Sequence, residues 1–197
     1  MSYFVMNDSQ ASVFTVFVGS TLLVSGPLEQ VALAAKKALD RGTSQPVLIY
    51  NDSTGRAIDI DSRGSDAEIL ARLSQPAPPP LPRGRGRPKL GVVAREVTLL
   101  PRHWQWLSSQ PGGASVAIRK LVETARRANQ DSDQRRLRQE AAYHFMSAMA
   151  GNLANFEEAS RALFADDRAR FRSLVVDWPA DVREHAIKLA FGGIRAE

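Results

Sequence analysis

The chain of 197 residues contains no cysteine, which excludes disulfide bonds, thiolate zinc sites and cysteine nucleophiles. It also lacks any uncharged apolar run near the roughly 18 residues that a membrane span needs, so we expect no membrane association. Its first residues have neither the basic stretch nor the apolar run of a secretory signal. These absences together predict a protein of the reducing cytoplasm.

Residues arranged for chemistry are also scarce. The three histidines, His103, His144 and His185, are far apart and have no metal-ligand spacing, so we expect surface or packing roles. The sequence has no phosphate-binding loop with its lysine. We therefore predict no enzyme activity, no metal and no cofactor. The alternative is an enzyme whose site is assembled from distant residues that form no local motif.

Basic charge is concentrated in the middle of the chain. Residues 83–138 carry 13 Lys and Arg against 4 Asp and Glu, a net charge of +9. Residues 1–82 and residues 139–197 each carry a net charge of −2. A basic block between mildly acidic flanks is typical of a module that binds a polyanion. A basic linker that only keeps the chain soluble is the alternative.

The pattern along the chain predicts an α+β fold in four segments. We expect a small ββαββα domain over residues 1–75, a proline-rich linker over 76–91, a strand-helix-helix module over 92–130 and a helical bundle over 131–197. In the first domain the predicted strands are 12–18, 21–24, 46–50 and 57–60, and the predicted helices are 27–39 and 66–73, with Ser65 as a cap. In the bundle the predicted helices are 138–149, 156–163, 168–175 and 179–191.

The linker ends in an unusual basic segment, Arg-Gly-Arg-Gly-Arg-Pro-Lys, over residues 83–89. The core Arg-Gly-Arg-Pro resembles the AT-hook, which implies insertion into the narrow, negative minor groove of A·T-rich DNA. Glycine between two arginines lets the backbone lie deep in such a groove. The candidate contacts here are Arg83, Arg85, Gly86, Arg87, Pro88 and Lys89. A solvated basic linker and an RNA-binding Arg-Gly tract are the alternatives.

The segment after the linker predicts a strand over 95–100, a helix over 101–109, a turn at Pro111-Gly112-Gly113 and a second helix over 114–128. This order resembles the ribbon-helix-helix transcription factors. The resemblance implies a homodimer whose paired strands enter the DNA major groove, with the second helix starting on a phosphate. The candidate contacts are Arg95, Thr98 and Ser115.

Two features of this segment leave alternatives open. Residues 97–100 are almost wholly apolar, so the sequence does not decide whether Thr98 and Leu100 or Val97 and Leu99 face the core. An ordinary helical hairpin, with Trp104 and Trp106 as core residues, would also produce the pattern.

The whole chain is similar to an uncharacterised bacterial family of about 200 residues. The resemblance rests on residues 84–102, on the Gln110-Pro111-Gly112-Gly113 turn and on the run of residues 177–181, and it implies no established activity.

These observations predict a protein that binds A·T-rich double-stranded DNA as a homodimer, either a transcriptional regulator or a nucleoid-associated protein. The alternative is a non-catalytic dimeric interaction protein whose basic stretch binds RNA or an acidic protein partner. A preference for A·T-rich duplex would separate the two.

Overall fold

A computed structural model describes residues 13–74 and 95–192. It contains one four-stranded antiparallel sheet together with helices, so the predicted α+β class is confirmed. The strands are β1 (Phe14–Val18), β2 (Thr21–Gly26), β3 (Val47–Asn51) and β4 (Arg56–Ile58), in the order β2-β1-β3-β4. Gly19 occupies the two-residue β1–β2 turn with φ +58°, a conformation that favours glycine.

Two helices accompany the sheet, α1 (Leu28–Asp40) and α2 (Asp66–Leu73). The cap of α2 is the predicted Ser65. Its hydroxyl accepts from the backbone N–H of Glu68 at 3.3 Å, and the Glu68 carboxylate accepts from the backbone N–H of Ser65 at 2.7 Å. This reciprocal capping box satisfies two N–H groups that the first turn leaves without helical partners.

Five further helices follow in the described ranges, and four of them have bounds close to those expected from the sequence. The five are α3 (Pro101–Ser108), α4 (Gly113–Ala150), α5 (Phe156–Phe164), α6 (Arg168–Leu174) and α7 (Ala180–Phe191). Pro179 precedes α7, as the Trp178-Pro179 boundary predicts. In the described ranges, no helix is both long and apolar enough to cross a membrane.

Both faces of the sheet are buried. Successive side chains of β1 point to opposite sides, so Val16 packs with Val31 of α1 while Phe17 joins a second cluster. That second cluster contains Tyr50 from the sheet and Phe145 from α4, together with residues of α5, α6 and α7. The sheet is therefore covered by α1 on one side and by C-terminal helices on the other.

This packing differs from the expected division into domains. Residues 1–75 and 131–197 were expected to form separate domains, but they contribute side chains to one cluster. The described residues divide instead into two compact units, which we call the sheet unit (residues 13–74 and 133–192) and the groove unit (residues 95–132). The physical reason is that Phe17 and Tyr50 would otherwise leave an apolar sheet face in water.

The expected boundary at residues 130 and 131 also falls inside a helix. Helix α4 runs unbroken for 38 residues, whereas two helices over 114–128 and 138–149 were expected. No glycine or proline lies between Ala114 and Ala150 to end it. Ion pairs one turn apart add to its stability, as between Glu123 and Arg127 at 2.9 Å and between Asp133 and Arg136 at 3.3 Å.

Candidate nucleic-acid interface

The candidate contacts fall into two groups by position. The AT-hook-like residues lie outside the described residues; they are Arg83, Arg85, Gly86, Arg87, Pro88 and Lys89. Arg95, Thr98 and Ser115 lie in the groove unit, and all three side chains are exposed.

Residues 95–100, expected to form a strand, adopt neither helix nor strand in the single chain. A strand at this position would need a partner for its backbone hydrogen bonds, and the sheet itself is built from β1 to β4. Leu100 then precedes α3, and Pro101 occupies the first turn, as predicted.

The helices of the groove unit form an apolar groove of about 420 Å³. It lies between α3, the first turns of α4 and residues 97–99. Its apolar lining includes Val97, Leu99, Trp106, Leu107, Leu121 and Val122. We call this surface the apolar groove.

The apolar groove shows which way residues 97–100 face. Val97 and Leu99 line it, and Thr98 and Leu100 do not. Of the two arrangements left open by the sequence, the structure has the one with Val97 and Leu99 toward the helices. Arg95 and Thr98 are exposed, and neither lines the groove.

The groove unit buries little of its own apolar surface. Among its described residues, 95–132, only Leu107 and Ala117 are buried hydrophobic residues. Trp106 remains 51% exposed, Leu121 50% and Val122 59%. Large aliphatic and aromatic side chains that line one groove and remain half in water form a surface that is typical of an interaction site.

Helix α4 begins where the sequence predicts a strong turn. Gly112 and Gly113 have φ of +84° and +75°, and the N–H of Gly113 donates to the carbonyl of Gln110 at 2.9 Å. Ser115 lies inside the first turn of this helix, because the helix begins two residues earlier at Gly113. Its exposed hydroxyl is therefore close to the helix start without being the cap.

The basic side chains of α4 in this unit are partly neutralised. Glu123 accepts hydrogen bonds from Arg126 at 3.1 Å and from Arg127 at 2.9 Å. Hydrogen bonds from Arg126 and then Arg127 hold the pKa of the Glu123 carboxyl below its usual value. Arg119 and Lys120 are exposed, and Arg119 donates to the carbonyl of Ser115 at 3.1 Å.

A cluster of polar side chains around Asp52, which the sequence did not predict, lies inside the sheet unit. Asp52 accepts hydrogen bonds from Thr15 at 2.8 Å and from Lys188 at 3.0 Å, and its Oδ1 is 3.4 Å from Nε2 of His185. Burial opposes the charge of Asp52, but interactions with His185, Lys188 and Thr15 outweigh it and lower the pKa of Asp52.

This cluster fits a structural role better than a catalytic one. His185 is 2% exposed and packs against the rings of Phe17 and Phe145, with centroids 5.5 and 4.7 Å away. A substrate in solvent would not reach it. Of the other histidines, His103 is exposed and His144 is hydrogen-bonded to Arg56 at 3.0 Å. Within residues 13–74 and 95–192, no three His, Cys, Asp or Glu side chains are grouped as metal ligands.

The family model described as "Uncharacterized protein conserved in bacteria (DUF2239)" matches residues 13–190. The chain belongs to this family. No curated protein and no solved structure matches it. The family match confirms the resemblance to an uncharacterised bacterial family. The matched residues include parts of both the sheet unit and the groove unit.

Proposed function

We propose that this member of the DUF2239 family is a homodimeric DNA-binding protein, a transcriptional regulator or a nucleoid-associated protein. The observation that carries the proposal is the apolar groove beside the exposed segment of residues 95–100, set within the most basic part of the chain. Such a surface needs a partner, and the surrounding charge favours a polyanion.

The partner that covers the apolar groove is a second copy of the chain. Two extended segments of residues 95–100 would pair antiparallel about a twofold axis and satisfy each other's backbone groups. Val97 and Leu99 would then be buried between the helices of both copies. The poor core of the groove unit, limited to Leu107 and Ala117 among residues 95–132, supports this arrangement.

Three exposed side chains of the groove unit supply the proposed DNA contacts. Arg95, and after it Thr98, would contact base edges in the major groove. Ser115 lies in the first turn of α4, where free N–H groups favour a phosphate. The segment from Arg83 to Lys89 would enter an adjacent A·T-rich minor groove.

The deciding experiment is fluorescence anisotropy on two labelled duplexes, one A·T-rich and one G·C-rich, across a salt series. The wild-type protein is expected to bind the A·T-rich duplex more tightly, with affinity that falls steeply as salt increases. The double variant Arg85→Ala, Arg87→Ala is expected to lose the preference for A·T.

A matched control removes the same charge from the same basic block. Arg126→Ala with Arg127→Ala deletes two arginines that are paired with Glu123. This control is expected to keep the A·T preference even where overall affinity falls. Absence of binding to either duplex at low salt would overturn the proposed function.

One observation favours an alternative. The segment before α3 presents Val97 and Leu100 to solvent, 55% and 50% exposed, and offers Thr98 as its outward polar side chain. Sequence readout by so apolar a ribbon would be poor. The alternative is therefore a dimer whose basic stretch binds RNA or an acidic protein. A single-stranded RNA in the same assay, bound more tightly than either duplex, would support it.

A further inference from the structure

The sheet unit contains a basic surface of its own, to which the last arginines of the basic block, Arg135 and Arg138, contribute. A cleft of about 300 Å³ opens among α4, α6 and α7, and three arginines line it. Arg135 and Arg138 lie one turn apart on α4, and Arg168 is the first residue of α6. Asp166 and Phe191 also line the cleft. We call this surface the arginine cleft.

Positive charge in the arginine cleft exceeds negative charge. Asp166 pairs with Arg135, with Nε and Oδ2 3.3 Å apart. Among residues 13–74 and 95–192, neither Arg138 nor Arg168 has a carboxylate oxygen within 4.0 Å. Three arginines against one aspartate leave a net charge of +2. By contrast, Arg161 of α5 and Arg170 of α6 both pair with Glu158.

The side chain of Arg168 is held in place. Its guanidinium carbon lies 5.5 Å from the centre of the Phe191 ring, a cation–π contact. That ring packs edge-on against Phe171, which is fully buried. Because packing orders the Arg168 side chain, an anion that binds it loses less side-chain entropy than it would at a free arginine.

We infer that the arginine cleft binds a phosphate group. Clustered guanidinium groups repel one another unless an anion lies among them, and a net charge of +2 matches the charge of a phosphate dianion. Guanidinium groups also match phosphate oxygens with pairs of parallel hydrogen bonds. Arg138 and Arg168 are the residues that would bind the phosphate, and Arg135 is held by Asp166. The site is independent of the proposed DNA contacts.

The first test is calorimetric titration of the full-length protein with pyrophosphate at low ionic strength. The wild-type protein is expected to bind one equivalent saturably. Arg138→Gln with Arg168→Gln is expected to weaken binding at least tenfold, because two charge-assisted hydrogen-bonding groups are lost. The control Arg161→Gln with Arg170→Gln removes the same charge from two arginines that both pair with Glu158 and do not line the cleft, and is expected to retain binding.

The second test identifies where the phosphate comes from. Affinity for a short duplex is measured with the same three proteins. If duplex affinity falls only in the Arg138→Gln, Arg168→Gln variant, the phosphate that the cleft binds belongs to nucleic acid. Unchanged duplex affinity with lost pyrophosphate binding would indicate a small phosphorylated ligand. If neither ligand depends on Arg138 and Arg168, the inference is overturned. The pyrophosphate result stands whether or not the protein binds DNA.

Discussion

Asp52 and Lys188 are separated by 136 residues in the sequence, yet their side chains meet at 3.0 Å and link the β3–β4 turn to helix α7. His185, one turn earlier on α7, approaches the other oxygen of the same carboxylate at 3.4 Å. The Asp52 side chain is 11% exposed, so its charge is largely removed from water and depends on these partners. The contact joins the sheet to its helical cover.

Replacement of Asp52 by Asn is expected to destabilise the sheet unit. The amide keeps the shape of the side chain but loses the charge that Lys188 faces, which is expected to cost about 1–3 kcal/mol of unfolding free energy. Equilibrium unfolding in urea measures it. Asp59→Asn, at an exposed aspartate nearby, is expected to change stability by less than about 0.5 kcal/mol. Equal stability of the two variants would contradict the role of Asp52.

The same carboxylate predicts a pH dependence. Since the folded-state pKa of Asp52 is lowered, its contribution is fully present above the unfolded-state pKa of about 4 and is lost as pH falls through the folded value. The stability difference between wild type and Asp52→Asn is therefore expected to be largest near neutral pH and to shrink below about pH 4. Urea unfolding of both proteins across acidic pH measures it. A difference that grows on acidification would show the opposite sign.

Substitution of Gly55 is expected to lower stability at a second place, where the β3–β4 turn contacts α4. Its φ is +65°, and a Cβ placed there would overlap the backbone carbonyl oxygen of Ala141. Gly55→Ala is therefore expected to cost more than about 2 kcal/mol, from backbone strain plus the clash. Thermal and urea unfolding measure it.

Gly42 offers a control for that experiment. It has a similar φ of +73°, but a Cβ at this position would have no neighbouring atom within 4 Å, so only the conformational cost of about 1–2 kcal/mol applies to Gly42→Ala. If both alanine variants lost the same stability, the close approach of the turn to Ala141 would not matter.

Local elements of this fold could be predicted from the sequence because their signals are local. The β1–β2 hairpin follows from β-branched residues around Gly19, and the start of α2 follows from Ser65 and Glu68 three residues apart. The long α4 was missed although the sequence contains its signal. The absence of glycine and proline from Ala114 to Ala150 outweighs the polar stretch around Asp131.

Contacts between distant segments left no such signal. Nothing in the sequence near Asp52 indicates that His185 or Lys188 will face it, and the three arginines of the arginine cleft come from two separate helices. The sequence also could not show which side chains of residues 97–100 face the helices. Each of the two alternating pairs, Val97 with Leu99 and Thr98 with Leu100, contains at least one apolar residue. Only the position of Val97 and Leu99 in the apolar groove decides it.

The apolar groove predicts how the oligomeric state responds to substitution. Leu121 lines the groove and is 50% exposed in the single chain, so a second copy would remove it from water. Leu121→Glu would lose that burial and place a charge in the interface, once in each copy. At about 2 kcal/mol or more per copy, and so about 4 kcal/mol or more per dimer, we expect dimer affinity to fall roughly a thousandfold or more. Sedimentation equilibrium over a range of concentrations measures it.

The control for this prediction is Val176→Glu, which introduces the same charge at an apolar residue of the sheet unit that is 56% exposed and does not line the groove. It is expected to dimerise as the wild type does. Because DNA binding through paired segments of residues 95–100 requires the dimer, Leu121→Glu is also expected to weaken duplex binding, and Val176→Glu is not. A wild-type protein that stays monomeric at micromolar concentrations would rule out the dimer and, with it, the paired ribbon.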